Sequence, residues 1–173
     1  MVSLVVTVVG RDRPGLVKAI SDVAVEHRAN WAESRMAQLA GQFAGIVHLQ
    51  VPAEQVDPLV VALQRLREIG LAVDLARGGP APRPGRIALL ELVGQDRPGI
   101  VREVARALAA RGVSIEELDT RFESGSFTGE PLFRATARLH LDAEASADEL
   151  RASLESLAND LMVDIALEAP EKD

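Results

Sequence analysis

The chain has 173 residues, with 26 acidic and 19 basic side chains, a net charge of −7, no cysteine and only 3% aromatic residues. That balance excludes disulfides, thiolate metal sites and a cysteine nucleophile. It also opposes direct nucleic-acid binding, which needs a concentrated Lys/Arg surface to displace phosphate counterions. The 47% of hydrophobic residues fit an ordinary globular chain with an aliphatic core. No apolar run approaches the roughly 20 residues that span a bilayer.

The first predicted element, Val2 to Val9, is β-branched and stops at Gly10. It is short and has no basic leader, so it reads as a buried strand rather than a signal peptide. It runs into Val9-Gly10-Arg11-Asp12-Arg13-Pro14-Gly15-Leu16-Val17. The same stretch returns as Val93-Gly94-Gln95-Asp96-Arg97-Pro98-Gly99-Ile100-Val101, with seven of nine positions identical and a spacing of 84 residues. Two units of about 80 residues follow, each small enough to need packing against another unit or another chain.

A helix is predicted from near Pro14, where a missing N–H costs nothing. Its buried stripe is Leu16, Val17, Ile20, Val23 and Ala24, matched by Ile100, Val101, Val104, Ala107 and Leu108 at spacings of three and four. Gly112 ends the second copy as a residue that accepts a left-handed conformation; Arg28 holds that place in the first. A second strand follows, Glu33 to Leu39 and Glu117 to Glu123. The third covers Phe43 to Val51 and Phe133 to Leu141, where the offset has grown to 90. Six residues have therefore entered the second hairpin within Ser124 to Pro131, making a longer and mobile loop.

A second helix is predicted from Asp57-Pro58, with Leu59, Val60, Leu63 and Leu66 buried. Its counterpart starts at Ser146-Ala147-Asp148-Glu149, a capping-box pattern, with Leu150, Leu154 and Leu157 buried. Short strands, Leu71 to Leu75 and Met162 to Leu167, close the units. Residues 1–76 form the first domain, 77–85 a Pro/Gly-rich linker, 86–168 the second domain and 169–173 an acidic tail.

Each unit reads strand, helix, strand, strand, helix, strand. This is a ferredoxin-like βαββαβ arrangement of the α+β class, a four-stranded antiparallel sheet with both helices on one face. Val5, Val9, Leu89 and Val93 fall on the other face, apolar enough for an interface and a homo-oligomer, a dimer being expected. Asp119, Arg121, Glu123, Arg134 and Arg138 should share the second unit's outer face as solvated cross-strand pairs.

The repeated turn is where a small anion can be held, because a helix N-terminus carries unpaired N–H groups and a partial positive charge. Gly15 and Gly99 leave the backbone open to a carboxylate, and Arg13 and Arg97 can add a charge-assisted contact. Asp12 and Asp96 either meet an ammonium group or cap the helices, with Pro14 and Pro98 starting them. Together these groups suit the α-amino and α-carboxyl groups of a free amino acid. Gly15→Val and Gly99→Val are expected to remove binding with the fold largely intact.

These residues carry a resemblance. The doubled Gly-x-Asp-Arg-Pro-Gly turn in two βαββαβ units resembles the ACT domain family, regulatory modules that commonly bind amino acids at interfaces between paired units. The tandem arrangement without a catalytic domain, with the stretch Glu33 to Phe43, is similar to the glycine cleavage system transcriptional repressor group. Similar turns occur in ACT units attached to formyltetrahydrofolate deformylases and nitrogen-sensing uridylyltransferases. The resemblance implies a polar ligand contact at the start of the second strand, often Asn, matched by Asn30 and replaced by Ser114 in the second unit. It implies a non-enzymatic cytoplasmic regulator of a partner protein, taking glycine or a similar amino acid, with no cofactor and no metal. A ligand-free interaction module and a regulatory subunit of an amino-acid metabolic enzyme stay open as alternatives.

Elsewhere the sequence offers little catalytic chemistry. His27, His48 and His140 are the only histidines and show no metal-ligand spacing. No Gly-x-Ser-x-Gly elbow or Gly-x-x-x-x-Gly-Lys loop is present. Trp31 follows Asn30 and is expected in the core near the ligand edge.

Overall fold

The computed structural model describes residues 1–79, 84–124 and 131–168. The inserted hairpin residues 125–130, linker residues 80–83 and the tail after Glu168 lie outside them. The chain divides into two compact units, Met1–Ala81 and Pro82–Asp173.

The first unit contains β1 (Val2–Arg11), α1 (Leu16–Glu26), β2 (Asn30–Leu39), β3 (Gln42–Val51), α2 (Val56–Gln64) and β4 (Leu71–Arg77). The second contains β5 (Gly85–Gln95), α3 (Ile100–Ala110), β6 (Val113–Ser124), β7 (Pro131–Asp142), α4 (Ala147–Leu161) and β8 (Val163–Glu168). The sheets run β2-β3-β1-β4 and β6-β7-β5-β8, with every neighbouring pair antiparallel. Two four-stranded sheets, each with two helices, are the α+β architecture that the strand and helix periods predict.

Register follows from alternation. Leu4, Val6 and Val8 point inward and share one core with Leu16, Ile20, Leu59 and Leu63. In the second unit Ala88, Leu90 and Leu92 do the same with Ile100, Leu108, Leu150 and Leu154. Because α1 and α2 reach the same sheet face, the opposite face carries no helix. The shift in offset is visible in the pairing, where Val8 faces Gly45 while Leu92 faces Ala135. Both edge hairpins also carry an irregularity at the same place, between Trp31 and Glu33 and between Ile115 and Glu117.

Several local details differ from the sequence reading. The helices start at Leu16 and Ile100 rather than at the prolines. Val17 and Val101 leave the predicted buried stripe, at 46% and 43% exposure. Leu16 and Ile100, one residue earlier in the same turn, take the buried positions at 3% exposure each, which leaves the valines at the margin of the core. A 3-10 turn over Ala53–Gln55 precedes α2, which begins at Val56. Of the capping box, one half forms, with the Glu149 N–H donating to Ser146 Oγ at 3.3 Å. The Glu149 carboxylate instead pairs with Arg111 at 2.9 Å, tying the end of α3 to the start of α4. Arg28 adopts the left-handed conformation, φ 55, that Gly112 adopts with φ 67.

The β2–β3 hairpin closes through Ala40-Gly41, with Leu39 facing Gln42 and φ of 50 and 77 at the two central residues. Those positive angles define a type I′ turn, whose first central position favours Asn and strains Ala. Ala40→Asn is expected to raise the unfolding free energy by about 0.5–1 kcal/mol, measured by denaturant titration of the full chain. A lower midpoint for the variant would contradict the strain.

Candidate functional site

The two turns, residues 12–15 and 96–99, are built alike. Gly15 and Gly99 are the N-caps of α1 and α3, with φ 94 and φ 100. Strand geometry at Arg11 and helical geometry at Leu16 can be joined this sharply only through a left-handed residue, which glycine adopts without penalty. The glycine carbonyls accept the first helical bonds, from Ala19 at 2.9 Å and Glu103 at 3.0 Å. The amides of Leu16, Val17 and Lys18, and of Ile100, Val101 and Arg102, therefore precede any intrahelical acceptor. A Cβ placed on either glycine would meet nothing within 4 Å, so both turns face open space.

Asp12 and Asp96 do not cap the helices, since neither N-terminus has a side-chain cap hydrogen bond. Their side chains are exposed, while their backbone amides brace the turn against the neighbouring hairpin. The Asp12 N–H donates to the Gly41 carbonyl at 3.0 Å and the Asp96 N–H to the Pro131 carbonyl at 3.2 Å. Gly41 and Pro131 are equivalent under the offset of 90.

Arg13 and Arg97 hold the turn from the other side. Arg13 donates to the Ile69 carbonyl at 2.7 Å and Arg97 to the Asp160 carbonyl at 3.4 Å. Both acceptors lie in the last helical turn before β4 or β8, where the backbone carbonyls carry the negative end of the dipole. Each guanidinium thus has a structural bond already, and its remaining donors are what a ligand could use. Pro14 and Pro98 are exposed beside the glycines.

Asn30 and Ser114 are placed elsewhere. Asn30 pairs with Gln50, and Gln50 with Ser3, whereas at the turn end Leu39 pairs with Gln42 and Gln42 with Arg11. Between Ser3 and Arg11 lie eight residue steps, or about 26 Å of strand. Ser114 stands likewise opposite His140 and Ile87, at the far end from Gln95. Within one unit, no small ligand touches both the turn and this position. Trp31, next to Asn30, packs half-buried on the first core at that same far end. The alternation that placed Asn30 on a strand could not say which end of the sheet that strand began at; the register does.

The family comparison is decided by the same architecture. Models of the ACT domain match residues 3–75 and 88–158. The chain is a tandem ACT domain protein. A solved structure of an unknown protein from Galdieria sulphuraria is 32% identical, with a TM-score of 0.88 over 98% of this chain and 99% of that one. A second solved structure, a provisionally assigned glycine cleavage system transcriptional repressor, is 18% identical, with a TM-score of 0.72 over 99% of this chain and 98% of that one. That second likeness shows the fold. A comparison with curated proteins finds no match.

The two ACT units differ in charge around their turns. The first turn of α1 contains no acidic residue and has Lys18, paired with Asp22 at 2.7 Å one turn on. The first turn of α3 carries Glu103, held between Arg102 at 2.9 Å and Arg106 at 2.6 Å. Glu103 thus sets a carboxylate near the second helix start where the first unit has Ala19.

Among the described residues no group of three or more His, Asp or Glu side chains is arranged to hold a metal. His48 Nε2 lies 2.7 Å from Ser3 Oγ, and His27 Nδ1 lies 3.3 Å from Gln55 Oε1. His140 sits between Glu116 at 3.4 Å and Asp142 at 3.6 Å.

The left-handed glycines alter what substitution there measures. Any side chain strains the backbone even though space is open, so Gly15→Val disturbs the fold as well as the site. Gly15→Ala and Gly99→Ala are each expected to cost about 1–2 kcal/mol, read from denaturation of the full chain. Wild-type stability in both variants would show that the turn relaxes without the left-handed residue.

Proposed function

We propose that this tandem ACT protein is a non-enzymatic regulator that binds a small free amino acid at its first turn and thereby alters its meeting with a partner protein. The observation that carries this reading is the set of unused amides at Leu16, Val17 and Lys18, open to solvent beside Gly15. A carboxylate set there meets the N-terminal partial charge and the Lys18 ammonium, while the exposed Asp12 carboxylate stands on the same turn for the ammonium group. The second turn repeats the geometry with Glu103 in the way, so the first unit binds more tightly. Asn30 and Ser114 are not part of a site built within one unit.

Glycine and its close neighbours suit a turn with no deep side-chain pocket. The likeness to a provisionally assigned glycine cleavage repressor is in keeping with that choice of ligand. With a net charge of −7, an effect on transcription would run through a protein rather than through DNA contacts. A pure interaction role is the second reading, supported by exposed apolar strand residues in both units, Val9, Leu39 and Ile46 in the first and Leu89, Leu118 and Phe122 in the second.

Thermal shift of the full chain against the common amino acids tests the reading. One or two of them should give a saturable rise, following ligand linkage of about 2.7 kcal/mol at about 100 times Kd. Lys18→Glu should remove that rise and Arg102→Glu should leave most of it. No response to any amino acid at millimolar concentration would reject the proposal, and equal loss in both variants would reject the preference for the first unit. Trp31 lies at the far end of the sheet, so calorimetry is the better confirmation than its fluorescence.

A further inference from the structure

Positive charge in this chain is almost entirely guanidinium. Of its 19 basic residues only Lys18 and Lys172 are lysines, and Lys172 lies outside the described residues, between Glu171 and Asp173 in the sequence. Lys18 stands in the first turn of α1, a helix start with no acidic residue, just after the open turn at Gly15. Under the offset of 84 its counterpart in the second unit is Arg102, whose guanidinium is held on Glu103 at 2.9 Å. The difference is chemical as well as electrostatic. A guanidinium stays charged, whereas an amine can be acylated and its charge thereby removed. The Lys18 side chain is 77% exposed, and it meets the Asp22 carboxylate one helical turn on, with Oδ2 at 2.7 Å from Nζ.

We propose that Lys18 Nζ is an acylation site, and that acylation there switches off amino-acid binding at the first turn. The neutral amine attacks the carbonyl carbon of an activated acyl donor, an acyl phosphate or an acyl thioester. The C–N bond forms, and the bond from carbon to the phosphate oxygen or to sulfur breaks, the leaving group taking the electron pair. The proton shed by nitrogen passes to Asp22 Oδ2 and from there to the leaving phosphate or thiolate. An acyl phosphate is itself an anion, drawn to a helix start with free amides and the spare donors of Arg13. In the product a neutral amide replaces the ammonium, and the Asp22 carboxylate is left without its counter-ion one turn from the site. Both changes oppose a bound carboxylate. Arg102 gives the second unit no such switch. The switching step rests on the amino-acid reading of this turn; the acylation step does not.

The full chain, incubated separately with acetyl phosphate and with acetyl-coenzyme A, then digested and read by mass spectrometry, tests the first step. Lys172 is the internal reference, since its acidic neighbours Glu171 and Asp173 repel an anionic donor. Lys18 should gain acetyl about tenfold faster than Lys172 with at least one donor. Equal rates with both donors, or faster modification of Lys172, would overturn the proposal. Calorimetry on the acetylated chain, with the amino acid found by thermal shift, tests the second step. Affinity should fall on the order of tenfold, and Lys18→Gln should match that loss. Unchanged affinity at full Lys18 acetylation would overturn the switch. If no amino acid binds the unmodified chain, the earlier reading fails, and the rate ratio still decides the acylation site.

Discussion

A single left-handed residue between strand and helix governs each unit. The strand must end and the helix must start within a few residues if the helix is to return over its own sheet, and the φ of 94 or 100 at Gly15 and Gly99 allows it. The residues beside each glycine hold that bend. The Asp12 and Asp96 amides fasten it to the hairpin, and Arg13 and Arg97 fasten it to the end of the second helix. The bend is therefore fixed from two sides before any ligand arrives, and its open amides are preorganised. Affinity at such a site is not diminished by the cost of ordering a loop.

This arrangement gives the repeated Asp-Arg-Pro-Gly run two independent reasons to exist. Conformation alone requires the glycine and makes use of the aspartate amide and the arginine side chain. Ligand binding would need the amides, the aspartate carboxylate and any arginine donors left over. The two units separate these requirements, because both keep the conformational parts while only the first keeps an acid-free helix start. Glu103, clamped by Arg102 and Arg106, places a carboxylate near the second helix start where the first unit has Ala19.

Most of the architecture was legible because it rests on periods of two and of three to four. Leu4, Val6 and Val8 alternate, and Leu16, Ile20 and Ala24 recur every fourth residue; burial follows both patterns. The change of offset from 84 to 90 located the hairpin insertion, and the pairing of Leu92 with Ala135 agrees with it. Position along the sheet was not legible. Asn30 and the turn are close in sequence order and carry compatible chemistry, yet the strand between them in register spans the whole sheet. Val17 and Val101 misled because helical spacing marks a face but not which of two adjacent apolar residues sits at its centre; Leu16 and Ile100 do. The role of Arg13 was hidden because its acceptor is a backbone carbonyl 56 residues away, which no side-chain pattern records.

The edge strands divide the labour between units in the same way as the turns. In the first unit Met36 and Trp31 pack on the core, and the strand's exposed apolar side chain is Leu39 at the hairpin end. In the second, Leu118 and Phe122 stay exposed on a strand of 12 residues. Exposed apolar side chains on an unpaired edge are costly in solubility and promote aggregation unless a partner covers them.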